Sequence, residues 1–266
     1  MTMPDPIKKD YSRYRVLGIF PHPDDEAYAA SGTFTKLSAA GAQVKLVCAT
    51  DGEAGMHRAN PKIRGKALGR VRREELRKSA KCIGADLVEF LGLPDGGLAG
   101  VGESELSSLI QKELRTFHPH LVVTLGDDGV YGHIDHVTLT RAVSQAFAES
   151  EFSKIRLMHC AFPRGLFAPT YKMLRKRAGY ILHESVSLDA LGAQRENCEV
   201  VVELDEEKQS KLASIEAHAS QLLEARAATF LLPGLKEHLL LEEWFQWIAG
   251  PGFSGKGAGL LEGLSC

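Results

Sequence analysis

Residues 21–26 read Pro-His-Pro-Asp-Asp-Glu, and residues 131–136 read Tyr-Gly-His-Ile-Asp-His. Imidazole nitrogens and carboxylate oxygens bind divalent cations, and the same groups give and take protons. One histidine and one carboxylate from the first motif, with one histidine from the second, make a three-ligand set. Catalytic zinc takes three protein ligands and keeps a position for water. The residues left over then act as acid and base. Pro21 and Pro23 fix φ on either side of His22 and stiffen that turn. A plainer reading exists for each motif. Asp-Asp-Glu is an ordinary helix start, with Asp24 as its cap, and a histidine in a loop is commonplace. The chemical reading is favoured because both motifs directly follow apolar runs.

Those runs are Val16-Leu-Gly-Ile-Phe20 and Leu121-Val-Val-Thr-Leu125, the second followed by the turn Gly126–Gly129. In α/β folds, ligands sit at the carboxyl ends of the strands. Further strand-like runs are 44–50, 86–91, 155–162, 180–186 and 199–204, with the first strand spanning 15–20. Helical patterns cover 26–40, 65–83, 103–117, 136–150 and 205–224. Gly41 and Gly84 stand where helix C-caps belong, and Asp205 stands where an N-cap belongs. The alternation predicts an α/β fold: a Rossmann-like, mostly parallel sheet with helices on both faces. One domain is expected over 1–250, with a glycine-rich tail, 251–266, that frays. The segment 163–179 is the least regular, a short helix or a lid. Residues 231–249 carry Leu239–Leu241, Trp244, Phe245 and Trp247. They read as a terminal helix on the core, with a homo-oligomer interface as the alternative.

With these residues in view, the sequence resembles the LmbE-like or PIG-L-like zinc deacetylases, which remove acetyl groups from N-acetylglucosamine units. Four stretches carry the resemblance: Pro21–Glu26, Thr50-Asp-Gly-Glu-Ala-Gly55, Tyr131–His136 and Lys211–Gln221. Weaker echoes lie at Arg72-Arg-Glu-Glu75 and Leu93–Leu98. The likeness spans residues 15–221 in the family's order. It implies His22, Asp25 and His136 as zinc ligands and Asp24 as general base. It implies His133 and Tyr131 as groups polarising the amide oxygen, and Asp135 as the partner of His133. It further implies substrate contacts from Glu53, Arg72, Asp95 and His218, with Gln221 beside them. Departures are Pro21, where a small residue is commoner, and Ile134, where proline is commoner; neither supplies a ligand. Nitrogen and carboxylate donors without thiolate suit Zn2+ and admit Fe2+ or Co2+.

The residues can perform the roles that the likeness implies. Neighbours on a turn point apart, so one carboxylate can bind a metal while the other takes a proton. His133 as an imidazolium, its pKa raised by Asp135, and the Tyr131 phenol can both donate to an oxyanion. Plainer readings remain for the peripheral residues. Asp51 and Glu53 cap a turn, Asp95 is a turn residue, Arg72 pairs with Glu75 along a helix, and His218 lies on a helix surface.

Composition narrows the alternatives. With 266 residues, the chain is long enough for a core that needs no staples. A net charge of −2 is no footprint for nucleic acid or for anionic lipid. Five scattered cysteines suggest reduced thiols, with Cys48 buried in a strand, hence a cytoplasmic setting. No secretory signal or membrane span is apparent. The expected partner is a small amino-sugar substrate. Competing functions are another zinc amidase, cleaving for example a thiol conjugate, and a metal-silent sugar-binding protein. A nucleotide-binding Rossmann protein is disfavoured, since no Gly-x-Gly-x-x-Gly follows the first strand.

Overall fold

Val16, Leu17, Ile19 and Phe20 project alternately to the two sides of the first strand, and all are buried. That strand, β1 (Arg15–Phe20), is therefore covered on both faces. A computed structural model of the chain describes residues 10–148, 150–169, 172, 191–222, 238–253 and 259–265. Around β1 stand β2 (Gln43–Thr50), β3 (Leu87–Leu93), β4 (Leu121–Thr124), β5 (Arg156–Ala161), β6 (Val200–Glu203) and β7 (Glu242–Ala249). The sheet order is β3-β2-β1-β4-β5-β7-β6. β3, β2, β1, β4 and β5 pair in parallel, whereas β7 is antiparallel to both β5 and β6.

The helices are α1 (Asp25–Ala29), α2 (Ser31–Ala39), α3 (Lys66–Cys82), α4 (Leu98–Val101), α5 (Glu103–Phe117), the kinked turn α6 (Gly129–Gly132), α7 (Ile134–Ala146) and α8 (Lys208–Ala217). One face of the sheet packs Val16, Phe20, Leu46 and Val123 against Phe34 and Leu37 of α2 and Leu76 of α3. The other packs Leu17, Ile19, Val47 and Val122 against Leu106 and Ile110 of α5 and Leu139 and Val143 of α7. Helices thus cover both faces. Strand order reverses between β1 and β4, so a crevice opens beyond their carboxyl ends. Both chemistry-bearing motifs leave the sheet there.

Several expectations need correction. The helix read as 26–40 is broken at Ala30 (φ −148°, ψ 9°) into α1 and α2. Its cause is distant: the N–H groups of Gly32 and Thr33 donate to the Glu243 carboxylate at 3.0 and 2.7 Å. Part of the terminal helix read at 231–249 is instead β7, whose Trp244 and Phe245 are buried. Aromatic and β-branched residues suit a half-buried strand, and the antiparallel pairing decides it. Residues 223–237 lie outside the described set, as do the strand read at 180–186 and most of 163–179. The helix expected from Asp205 begins after Glu207, and Asp205 does not cap it.

Nor does the described part of the tail fray. Leu260, Leu261 and Leu264 are buried. The buried Arg156 guanidinium donates to the carbonyls of Pro251, Gly252, Leu260 and Glu262.

Candidate metal and active site

The turn after β1 separates its two aspartates. Asp25 folds back, its Oδ2 accepting the His22 N–H at 3.0 Å and lying 3.3 Å from His22 Nδ1. Asp24 has φ 131° and ψ −25°, a backbone conformation rare for a residue with a Cβ. Its carboxylate makes no cap bond to α1, so the capping reading fails; its Oδ2 lies 3.1 Å from Arg72 Nη2.

The turn after β4 is equally constrained. Val130 has φ 67°, and Asp128 holds it by accepting the Val130 N–H at 2.9 Å and the Gly192 N–H at 2.7 Å. Of the three non-glycine residues with positive φ among the described residues, Asp24 and Val130 flank this crevice. Strain of this kind is typical of functional loops. It presents His136, on the first turn of α7, to the Pro21–Glu26 loop.

Two imidazole nitrogens and one carboxylate converge. His22 Nδ1 lies 3.2 Å from His136 Nε2, Asp25 Oδ2 lies 3.3 Å from the first and Asp25 Oδ1 lies 3.4 Å from the second, so the carboxylate spans the two rings. A tetrahedral ion with bonds of about 2.0–2.2 Å holds its ligand atoms roughly 3.3–3.6 Å apart, close to these separations. The outer nitrogens fit too. His136 Nδ1 is 3.2 Å from the Gly129 carbonyl. His22 Nε2 is 3.1 Å from Asp95 Oδ1 and 3.3 Å from Asp135 Oδ2. Metal-binding histidines characteristically donate that outer N–H to a carbonyl or carboxylate. Taking one atom per residue, the groupings that lie within 4.8 Å among the described residues are His22–His133–His136 and His22–Asp95–Asp135; Asp25 joins through its two oxygens, one to each ring.

Asp135 pulls the His133 pKa up, as expected, but burial outweighs it. Its carboxylate accepts from Gly96 N–H at 2.7 Å and Leu98 N–H at 3.1 Å, and faces His22. Its backbone N–H donates to His133 Nδ1 at 3.2 Å, making His133 the N-cap of α7. Burial, with the His136 and His22 charges, lowers the His133 pKa to about 3 and so favours the neutral ring. A neutral ring that accepts at Nδ1 carries its hydrogen on Nε2. The Tyr131 ring centroid lies 5.9 Å from that of His133 and 5.5 Å from that of His136.

Burial also sets the carboxylates apart. It raises the Asp24 pKa to about 6, against the pull of Arg72 and with the push of Asp25. Burial works the same way on Asp25, but the neighbouring His136 and His22 hold it well below the carboxylate range. Two adjacent carboxylates therefore differ in proton affinity, as a proton carrier and a ligand should.

The peripheral residues are structural to differing degrees. Arg72 is buried and does not pair with Glu75; it donates to the carbonyls of Pro23 at 2.5 Å and Gly52 at 2.9 Å. Gly52 has φ 70°, and a Cβ there would lie 2.3 Å from Arg72 Nη1. This accounts for Gly52, the first of the two glycines in Thr50–Gly55. Asp51 binds Arg73 at 2.8 Å. Glu53 accepts the Asp95 N–H at 3.0 Å, and Asp95 accepts the Ala54 N–H at 2.8 Å. Gln221 reaches Ser220 Oγ at 2.9 Å. His218 is fully buried, not a helix-surface residue. Its Nε2 meets Glu26 Oε1 at 2.7 Å. Glu26 escaped the sequence reading as a separate participant, although it completes the first motif.

Residues 17–147 match the family described as "PIG-L: GlcNAc-PI de-N-acetylase". A 1D-myo-inositol 2-acetamido-2-deoxy-alpha-D-glucopyranoside deacetylase from Segniliparus rotundus is 31% identical, over 78% of this chain and 77% of its own length. The chain belongs to the PIG-L family. A deacetylase of the same name from Thermomonospora curvata is 28% identical, covering 94% of this chain and 97% of its own. Among solved structures, the N,N'-diacetylchitobiose deacetylase of Pyrococcus horikoshii superposes with a TM-score of 0.63 at 25% identity, over 94% of this chain and 88% of that one. The PIG-L match runs from β1 into α7 and contains both histidine motifs; α8 and His218 lie beyond it.

Proposed function

We propose that this PIG-L family member is a zinc-dependent N-deacetylase, hydrolysing the acetamide of an N-acetylglucosamine-containing substrate to acetate and a free amine. The observation that carries the reading is the 3.2–3.4 Å convergence of His22 Nδ1, His136 Nε2 and the Asp25 carboxylate, with Asp24 beside them. His22, Asp25 and His136 would hold the ion. When bound, it supplies Lewis acidity and lowers the pKa of water. Asp24, whose pKa near 6 suits proton exchange at neutral pH, accepts the proton of the attacking water and passes it to the leaving nitrogen. His133 Nε2–H and the Tyr131 hydroxyl donate to the oxygen on which charge develops. Water adds across the amide carbon, the C–N bond breaks, and acetate and amine leave. Sugar names in the relatives support an amino-sugar substrate.

The test is acetate release from a panel of N-acetylglucosamine conjugates, using chelated protein before and after zinc is restored. Turnover only after restoration is expected. Full activity in the chelated protein, with no metal on elemental analysis, removes the metal from the reading; no acetate from any conjugate removes the substrate class.

A further inference from the structure

We propose that the buried Glu26–His218 pair is a positioning unit for Asp24, fixing the turn so that this carboxylate is aimed away from the one that Asp25 occupies. The proposal rests on Asp24 being the proton acceptor of the reaction above. Asp24 pays for its φ of 131° in backbone strain, and a residue with a Cβ keeps such a conformation only where its surroundings over-determine it. Two grips do so. Arg72 takes the side chain at Oδ2, 3.1 Å away, together with the carbonyl of the preceding Pro23. Glu26 takes the backbone: its Oε2 accepts the Asp24 N–H at 3.0 Å.

Glu26 is itself held from behind. Its Oε1 accepts from Ser79 Oγ of α3 at 2.6 Å and meets His218 Nε2 at 2.7 Å. Ser79 in turn lies 2.7 Å from Ser214 Oγ of α8. Glu26 and His218 are 1% and 0% exposed, so neither reaches a substrate. His218 Nδ1 has no hydrogen-bond partner among the described residues, and the ring is anchored through Nε2 alone. Helices α3 and α8 thus converge, through one carboxylate, on a single backbone N–H. None of these groups touches the converging donor atoms.

The separation gives a test. Glu26→Gln and His218→Gln are compared with wild type for metal per chain, kcat and KM, alone and in the Asp24→Asn background. Expected are a full metal complement, an unchanged KM and a kcat lowered about 10–100-fold, the cost of a misplaced catalytic group. In the Asp24→Asn background, the same substitutions should cost nothing further. Ser79→Ala, which removes one donor to Glu26, should show the same pattern more weakly, and serves if the other variants do not fold. Crystals of Glu26→Gln should show Asp24 relaxed to negative φ. An unchanged kcat overturns the proposal, as does loss of metal or an equal loss with and without Asp24. If Asp24→Asn alone keeps wild-type turnover, the base assignment fails; the φ of residue 24 in Glu26→Gln still reports on the clamp.

Discussion

A side chain's role here depends on what stands behind it. His22, Asp25 and His136 should retain metal as a set, so His136→Ala should lose its equivalent on elemental analysis. Asp24→Asn should keep the metal and lose about 10²- to 10⁴-fold in kcat, the usual cost of removing a general base. Near wild-type acetate release would exclude that role. Asp135 faces His22 Nε2 and two backbone N–H groups rather than the His133 ring. Asp135→Asn should therefore weaken metal retention, by about 10–100-fold for a group of this kind, measured by competition with a chelator. A displaced alkaline limb in the pH profile at unchanged metal affinity would restore the His133 partnership. The converging residues were legible in sequence because each set is packed into a few positions after a strand. The buried partnerships of Arg72 and His218 were not legible, since Pro23, Gly52 and Glu26 are near them only in the fold.

At the level of elements, the apolar runs of β1, β2, β4 and β5 announced themselves, because strands buried on both faces need no alternation. The break between α1 and α2 did not, for the carboxylate that causes it stands on β7, 211 residues from Gly32. β7 was misread because eight residues with aromatics at mixed spacing do not fix a period. β5 carries a pH-sensitive element. His159 is buried, and that burial lowers its pKa to about 4 despite the exposed Asp127 nearby. Above the unfolded-state value of about 6.5 the ring is neutral in both states and costs nothing. As pH falls below it, the unfolded chain takes up the proton first, so stability is lost progressively down to about pH 4 and no further. Between pH 7 and pH 5 the single group should cost about 2 kcal/mol by this linkage. Urea midpoints of chelated wild type and His159→Gln should show the variant losing less over that range. Parallel pH dependence in the two proteins would clear His159 of the effect.

Over the whole molecule, the chain's end is part of its core. Removing residues 250–266 would strip Arg156 of the carbonyls of Pro251, Gly252, Leu260 and Glu262. Each buried donor left without an acceptor costs about 1–3 kcal/mol, so the truncated protein should melt well below wild type. Arg156→Met with the tail intact should melt between them, as the orphaned charge is gone. A truncation that melts like wild type would show the tail to be dispensable. A glycine-rich stretch reads as loose in sequence because backbone carbonyls, which do the binding here, leave no mark on residue type. The sheet has a related consequence for how the protein is made. Of the described strands β7 is synthesised after the other six, yet it lies between β5 and β6. These strands cannot be added outward in the order in which they leave the ribosome. Until residues 242–249 emerge, β5 keeps an open edge and β6 has no partner among the described strands. Unpaired edges recruit other strands. A stalled or clipped nascent chain would thus expose a sticky border beside an otherwise finished catalytic half, and two such chains would find each other there.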